Sequence, residues 1–311
     1  MPSDMPQTAD SIDNLLSQQA EKVSNKSFIV TFFGDVMAPL GEAIWLGSLI
    51  KIMQWFGFSE RLVRTSIYRL VQENWLYAIK KGRRSYYQLT PQALAETKEA
   101  SSRIYHPPPS EKDLLTKQEE TPPWILLLAL QLNTEQLNSF KQKMNWLGFS
   151  PLSHSVFIHP NIEDAAFDDV FENTLFRKSI IVLKARSFNP QSETLIRELL
   201  LQKLNVDQLQ LDHETLISDF KPYLSLYKKT LFSPKQSFML RLLLIHQYRK
   251  TLLKNAVLPD FLLPADWVGY YAQKFVSQLY QTDYLRAQSF IEGEMTLHDT
   301  QIKTKLRPNS Q

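Results

Sequence analysis

The sequence predicts a multidomain α+β chain, with a helix-and-hairpin region first, a compact α+β layer in the middle and an all-helical C-terminal region. Three observations carry that prediction. A Ser-capped amphipathic stretch runs straight into two short aromatic-rich segments between Ser59 and Thr90. Apolar runs of strand length alternate with helical periods between Trp124 and Ala185. From Pro190 to Phe290 the hydrophobic period is helical throughout.

Residues 1–25 are polar with two early prolines and only a weak amphipathic stretch at Ile12–Leu16. They are expected to be a mostly disordered tail with at most a short helix. Ser27–Val36 is apolar and predicts a first helix ending near Gly34. Gly41–Phe56 places Ile44, Trp45, Leu49, Ile52 and Phe56 near helical spacing, which predicts a second helix closed by Gly57. Ser59 then caps a third helix, its hydroxyl suited to accept from the first unpaired N–H groups. Leu62, Val63, Ile67, Leu70 and Val71 are expected to face a core. Arg61, Thr65 and Arg69, with Arg64 and Tyr68, fall in rows spaced by four that can stand on the solvated side.

After Asn74 the period changes. Trp75–Ile79 and Ser85–Leu89 read as a hairpin whose turn, Lys80-Lys81-Gly82-Arg83-Arg84, joins a glycine suited to positive φ with four cations. Helix, turn, helix, hairpin is the order of a winged helix-turn-helix. A major groove is wide enough to admit the arginine-bearing helix while the hairpin tip reaches phosphates or the adjacent minor groove. Thr90-Pro91 opens a further helix to about Tyr105, cap first and Pro at the first helical position.

Proline clusters mark 107–122 as a linker. Trp124–Leu130 is an apolar strand, Asn133 with Gln136 caps a helix over Thr134–Leu147, and Gly148 stops it. Ser155–His159 and Ser179–Ala185 read as strands around a helix at Glu163–Leu175. This is the pattern of a ferredoxin-like layer. Ser233-Pro234-Lys235-Gln236 starts a helix over Phe238–Lys254 that is apolar nearly all round and therefore expected to be buried, with His246, Tyr248 and Arg249 within it. Pro259 and Pro264 bound a short turn, and Trp267–Tyr280 is another helix. The expected organisation is a tail at 1–25, a winged helix-turn-helix at 26–106, a linker at 107–122, a ferredoxin-like dimerisation or coupling domain at 123–190, a helical effector domain at 191–295 and a tail at 296–311.

Charge is distributed unevenly. The 311 residues carry a net charge of +3, yet residues 26–106 hold 11 Lys and Arg against 6 Asp and Glu, a net of +5. The remainder is therefore at −2, and a local basic footprint on a near-neutral body is expected of a site-specific DNA binder. No apolar run reaches the 18 residues of a membrane span, and no basic-then-apolar leader opens the chain. The chain has no cysteine, which excludes disulfides and thiolate metal sites and fits a reducing compartment.

Catalytic readings find little support. The six histidines, His106, His154, His159, His213, His246 and His298, form no zinc-helix motif. Glu163, Asp164, Asp168 and Asp169 cluster in the first turns of a helix, where the macrodipole alone favours carboxylates. There is no Gly-rich phosphate loop and no G-x-S-x-G. The expectation is no enzyme, no metal and no cofactor. The alternative is a CoA-thioester-binding protein or enzyme that uses the helix-hairpin unit only as an interaction module.

The chain resembles the PaaX family of repressors of phenylacetate-catabolism operons. The resembling segments are Phe33-Gly34-Asp35, Ile44-Trp45-Leu46-Gly47-Ser48-Leu49, Glu60-Arg61-Leu62-Val63-Arg64-Thr65, Tyr68-Arg69-Leu70, Trp75-Leu76, Gly82-Arg83-Arg84-Ser85-Tyr86-Tyr87, Leu242 to Lys250 and Leu262 to Gly269. The resemblance implies a cytoplasmic homodimer bound to double-stranded operator DNA and released by an aryl-acetyl-CoA thioester such as phenylacetyl-CoA. Carried over by position, it implies DNA contacts from Arg61, Arg64, Thr65, Ser66 and Arg69, and from Lys81, Arg83 and Arg84 on the wing. A CoA thioester needs cations, an aromatic surface and an apolar slot, for which His246, Tyr248, Arg249 and Trp267 are the candidates. Asp260 or Asp266 would be the partners of His246 and Arg249 if those two were merely structural. Trp124 is expected in the core. The ferredoxin-like nucleases of CRISPR adaptation need a carboxylate at the end of the first strand, and Leu128-Ala129-Leu130-Gln131 has none.

Overall fold

A computed structural model describes residues 6–41, 43–107, 123–146, 148–159, 177–203, 205–253, 262–263, 266–282 and 284–296. The expected helix at Glu163–Leu175 with its acidic cluster, Asp260, nearly all of the 107–122 linker and the C-terminal tail lie outside the described residues. The chain divides into two compact units, one of residues 1–108, 212–253 and 268–311, the other of residues 109–211 and 254–267.

In the first unit, α1 (Pro6–Glu21) occupies much of the segment expected to be a disordered tail. Ile12, Leu16, Ala20 and Val23, spaced by four, four and three, form one buried stripe. Lys22 pairs with Asp219 at 2.8 Å and Asp13 accepts from Gln236 at 2.9 Å. Tertiary burial thus orders a stretch whose own helical signal is weak. α2 (Asn25–Phe32) does not end near Gly34. It continues as a π-turn over Phe33–Met37, in which the Ala38 N–H reaches back five residues to the Phe33 carbonyl at 2.7 Å.

The helix expected over Gly41–Phe56 is shorter than its periodicity suggested. Ile44–Trp45 is strand β1, and α3 begins only at Leu46 and ends at Gln54. β1 pairs with the hairpin, so a backbone partner distant in sequence takes residues that local spacing assigned to a helix. Gly57, at φ +79, turns the chain into α4 (Glu60–Gln72). β2 (Leu76–Lys81) and β3 (Arg84–Leu89) form the hairpin, with sheet order β1-β3-β2. Lys81 pairs with Arg84, so the loop is only Gly82-Arg83, with Gly82 at φ +60 as the first central residue of a type II′ turn requires. α5 (Pro91–Ile104) follows, its Ala93 N–H bonded to the Thr90 hydroxyl at 3.2 Å.

The second unit begins with β4 (Trp124–Leu128). α6 (Thr134–Trp146) starts with a reciprocal cap: Gln136 N donates to Asn133 Oδ1 at 2.9 Å, and Asn133 N donates to Gln136 Oε1 at 3.1 Å. β5 (Ser150–Pro151), β6 (Val156–His159) and β7 (Ile181–Ala185) complete an antiparallel sheet of order β5-β6-β4-β7. β4 therefore lies between the two later strands β6 and β7. Ile125, Leu127 and Phe157 pack with Leu137, Phe140 and Met144 of α6. Trp124 and Ile158 pack on the other face with Leu200 of α7 (Pro190–Lys203). A strand buried on both faces reads as an unbroken apolar run, which is why WILLLAL shows no alternation. Trp124 is fully buried and donates Nε1–H to Glu193 at 3.0 Å. Burial pushes the Glu193 carboxyl up, but bonds from Ser187, Trp124 and Arg197 outweigh it and hold the group below the usual carboxylate range.

α8 (Val206–Tyr227) leads to α9 (Pro234–Leu253), α10 (Val268–Gln281) and α11 (Tyr284–Thr296). Ser233 and Gln236 form the expected capping box, at 2.9 and 3.2 Å. α9 is buried nearly all round and packs against α1, α2, α5, α10 and α11. One apolar core therefore runs from Phe28 and Phe32 through Val63 and Ile67 to Leu243, Phe275 and Ile291. The helix-hairpin region and the C-terminal helices, separated by more than a hundred residues of sequence, share that core.

Candidate nucleic-acid interface

α4 is anchored by a narrow stripe. Val63, Ser66, Ile67 and Leu70 are its buried residues, and the Ser59 hydroxyl accepts from Leu62 N at 3.4 Å. Leu62, expected in the core, is 52 % exposed, because the stripe turns about Val63 and leaves its neighbour on the flank. Ser66, carried over as a DNA contact, is only 7 % exposed, and its hydroxyl accepts from Asn25 Nδ2 at 3.0 Å. Its place is the α2–α4 seam, where Lys26 also pairs with Glu73. The outer face carries Arg61, Arg64, Thr65, Tyr68 and Arg69, all exposed.

These residues are not equivalent. Arg64 is held by Glu60 one turn earlier, at 2.7 Å. Both groups are more than half exposed, so this pair contributes only about 0.3–0.5 kcal/mol and opens easily. The Thr65 hydroxyl donates to the Arg61 carbonyl at 2.9 Å. Arg61 and Arg69 have no side-chain partner among the described residues.

The hairpin adds exposed cations at Lys80, Lys81, Arg83 and Arg84. Lys81 lies 5.3 Å from the Tyr86 ring and Arg84 lies 4.8 Å from the Trp45 ring. The Trp45 indole is itself pressed against Gly47, where an added Cβ would meet it at 2.5–2.8 Å. An indole is rigid and would have to move. Gly47→Ala is therefore expected to dislodge the surface on which Arg84 rests and to weaken DNA binding about two- to fivefold, the scale of one exposed cation–π contact. Filter binding at low salt with random and operator duplexes would measure it.

Around the π-turn lies a half-buried polar network that sequence reading missed. Asp35, on the π-turn, accepts from the hydroxyls of Tyr105 after α5 and Tyr280 on α10, the latter at 2.8 Å. Burial, then the Asp35 charge, pushes both phenols up, so they remain donors. Arg241 is 3 % exposed and stacks at 3.9 Å from the Tyr280 ring and 4.9 Å from that of Tyr284. The members lie up to 245 positions apart in sequence, so spacing could not pair them. The usable signal was a lone acid, Asp35, in an apolar run.

The candidate effector residues separate. His246 is 3 % exposed, and its Nδ1 lies 2.8 Å from the Thr31 hydroxyl, which also bonds to the Ser27 carbonyl at 3.2 Å and to Arg249 at 3.3 Å. All three contacts are satisfied if Thr31 donates to Ser27 while His246 Nδ1–H and Arg249 donate to Thr31. Thr31 is thus a partner of both. Tyr248 lines a cavity of about 210 Å³ between α5, α9 and α10. Arg249 lines a recess beside Asp35 and Tyr105. Trp267 belongs to the second unit, where it is buried.

Burial, with Arg249 and Lys250 nearby, holds the His246 imidazole down at about 4. Burial does the same to His213, also at about 4. The unfolded chain binds these protons near pH 6.5 and the native protein does not, so stability falls as pH drops from about 6.5 towards 4. Each histidine should contribute a loss of about 3 kcal/mol across that window. Urea unfolding at pH 7 and pH 5 should show the acid loss, and His246→Asn should remove about half of it.

Comparison with known proteins finds three family matches. Residues 24–93 match the family described as PaaX-like protein, residues 134–196 the PaaX protein central Cas2-like domain, and residues 204–293 the PaaX-like protein C-terminal domain. The transcriptional repressor PaaX of Escherichia coli K12 is 32 % identical over 282 residues, covering 89 % of this chain and 87 % of that protein. An uncharacterised protein from Mycobacterium tuberculosis aligns in structure at 17 % identity and a TM-score of 0.49, covering 86 % of this chain and 98 % of its own. The family matches and the similarity to a transcriptional repressor define a DNA-binding regulator of transcription. The chain belongs to the PaaX family of repressors. No described helix is long and apolar enough to cross a membrane.

Proposed function

We propose that this chain represses an aromatic, phenylacetate-type catabolic operon in the cytoplasm and leaves its operator when an aryl-acetyl-CoA thioester such as phenylacetyl-CoA binds. In this reading α3, the Gly57 turn, α4 and the hairpin work as a winged helix-turn-helix. α4 enters the major groove, and the hairpin cations hold phosphates and set register. The middle sheet, a ferredoxin-like layer, joins two copies into a homodimer, so that two α4 helices address two half-sites. The observation that supports this most is the outward face of α4, where exposed Arg61 and Arg69 stand on a helix whose other side is locked into the core. The effector must bind the operator-incompetent form more tightly and so shift the population towards it.

The test is a gel shift with DNA from the gene's own upstream region, with and without phenylacetyl-CoA. A sequence-specific shift abolished by the thioester is expected. A thioester-dependent activity with no specific shift would instead favour a CoA-binding protein or enzyme carrying the helix-hairpin unit as an interaction module.

A further inference from the structure

We propose that the cavity between α5, α9 and α10 receives the aryl-acyl end of the thioester and leaves its nucleotide outside. The inference rests on the thioester being the effector and adds where its acyl end goes. The cavity measures about 210 Å³. An apolar cavity of about 150 Å³ holds benzene, so this one has room for a phenyl ring and a short acyl link but not for a nucleotide. Ile104, Ile245 and Val276 supply aliphatic wall, and Tyr105, Tyr248 and Tyr280 supply aromatic wall.

The charge of the lining selects among ligands. Its described residues include no Lys, Arg, Asp or Glu. The polar groups are hydroxyls and amides, with His106 exposed at the rim. A free aryl carboxylate would lose its hydration there without gaining a cation, and CoA phosphates would fare worse. A neutral thioester carbonyl loses little and can accept from a hydroxyl or amide. The cavity therefore distinguishes the activated acyl group from the parent acid.

The position also supplies a route to the DNA-facing helix. Tyr105 and Tyr280 line the cavity and both hold Asp35. Asp35 sits on the π-turn that continues α2, and α2 meets α4 through Asn25 and Ser66. An acyl group that displaces either tyrosine acts on the turn behind α4.

The chain contains no cysteine, so a single introduced thiol is a unique reporter. Ser277→Cys and Gln281→Cys place it in the lining, and Gln278→Cys places it on the same helix away from the lining. Maleimide reaction rates would be measured on the full chain with saturating phenylacetyl-CoA, desulfo-CoA (which has the nucleotide but no thiol to consume the reagent) or phenylacetate, alongside operator release. The thioester is expected to slow labelling at least tenfold at the two lining positions and to leave Gln278→Cys unchanged. Desulfo-CoA and phenylacetate should protect neither. If Ser277→Cys fails to fold, the exposed Gln281→Cys carries the result alone. Unchanged labelling while the thioester still releases operator would overturn this site and leave the effector reading standing. Failure of both release and protection would overturn both, and protection by desulfo-CoA or phenylacetate alone would overturn the acyl assignment.

Discussion

Asp35→Ala is expected to destabilise the first unit by about 2–4 kcal/mol, more than any single surface change. Its half-buried carboxylate accepts from the buried Tyr280 phenol and the half-buried Tyr105 phenol. Hydrogen bonds to a charged group contribute about 1.5–3 kcal/mol each, and removing the shared acceptor leaves both donors unsatisfied at once. Tyr105→Phe and Tyr280→Phe should each cost about 1–2 kcal/mol, because each removes its donor together with the bond. The two single losses should not add to that of the double variant, since both bonds polarise the same oxygen. Urea denaturation of the four proteins at pH 7 measures the cycle. Asp35→Ala as stable as the unaltered protein would show that the clasp contributes nothing. Operator affinity should fall with stability, because the same turn supports α2 beneath α4.

Arg64→Ala is expected to lower specific operator binding by about 1–3 kcal/mol while leaving binding to random duplex almost unchanged. The side chain now pairs with Glu60, but that exposed pair is weak and the guanidinium can exchange it for guanine O6 and N7. Arg61 and Arg69, which have no such competitor among the described residues, should lose at least as much when replaced. Arg84→Ala behaves differently. It should weaken all sequences about equally and reduce the slope of log affinity against log salt by about one, as for the loss of one phosphate contact. Titrations with operator and random duplex at several salt concentrations separate the two. An unchanged ratio of specific to non-specific affinity in Arg64→Ala would remove it from base readout.

Much of this interface was legible in the residues. Ser59 as cap, the arginine rows and the hairpin after Asn74 rest on local rules, in which a short-range pattern dictates a short-range structure. The same rules placed the reciprocal caps at Asn133 and Ser233. They misjudged Leu62, because a four-residue spacing fixes which residues share a face but not which face the core takes; Ser66 came from the family resemblance, and the structure turns it into the α2–α4 seam. They misjudged α1 for another reason. Its stripe of Ile12, Leu16, Ala20 and Val23 is too sparse to hold a helix alone, and becomes one against α9 and the side chains of α8. β1 escaped notice because two residues of strand exist only through their partners Tyr86 and Tyr87.

By itself the sequence determined the cationic helix and hairpin, the burial of α9 and the kinship with PaaX repressors, since each resides in contiguous residues whose type and spacing carry the physics. Only the tertiary structure decided which arginines are paired, that Ser66 faces inward, and that Asp35 is held by Tyr105 and Tyr280 beside a cavity whose described lining holds no Lys, Arg, Asp or Glu. Those facts depend on groups brought together across most of the chain's length. Burial and hydrogen bonding act through space, and no local period encodes them.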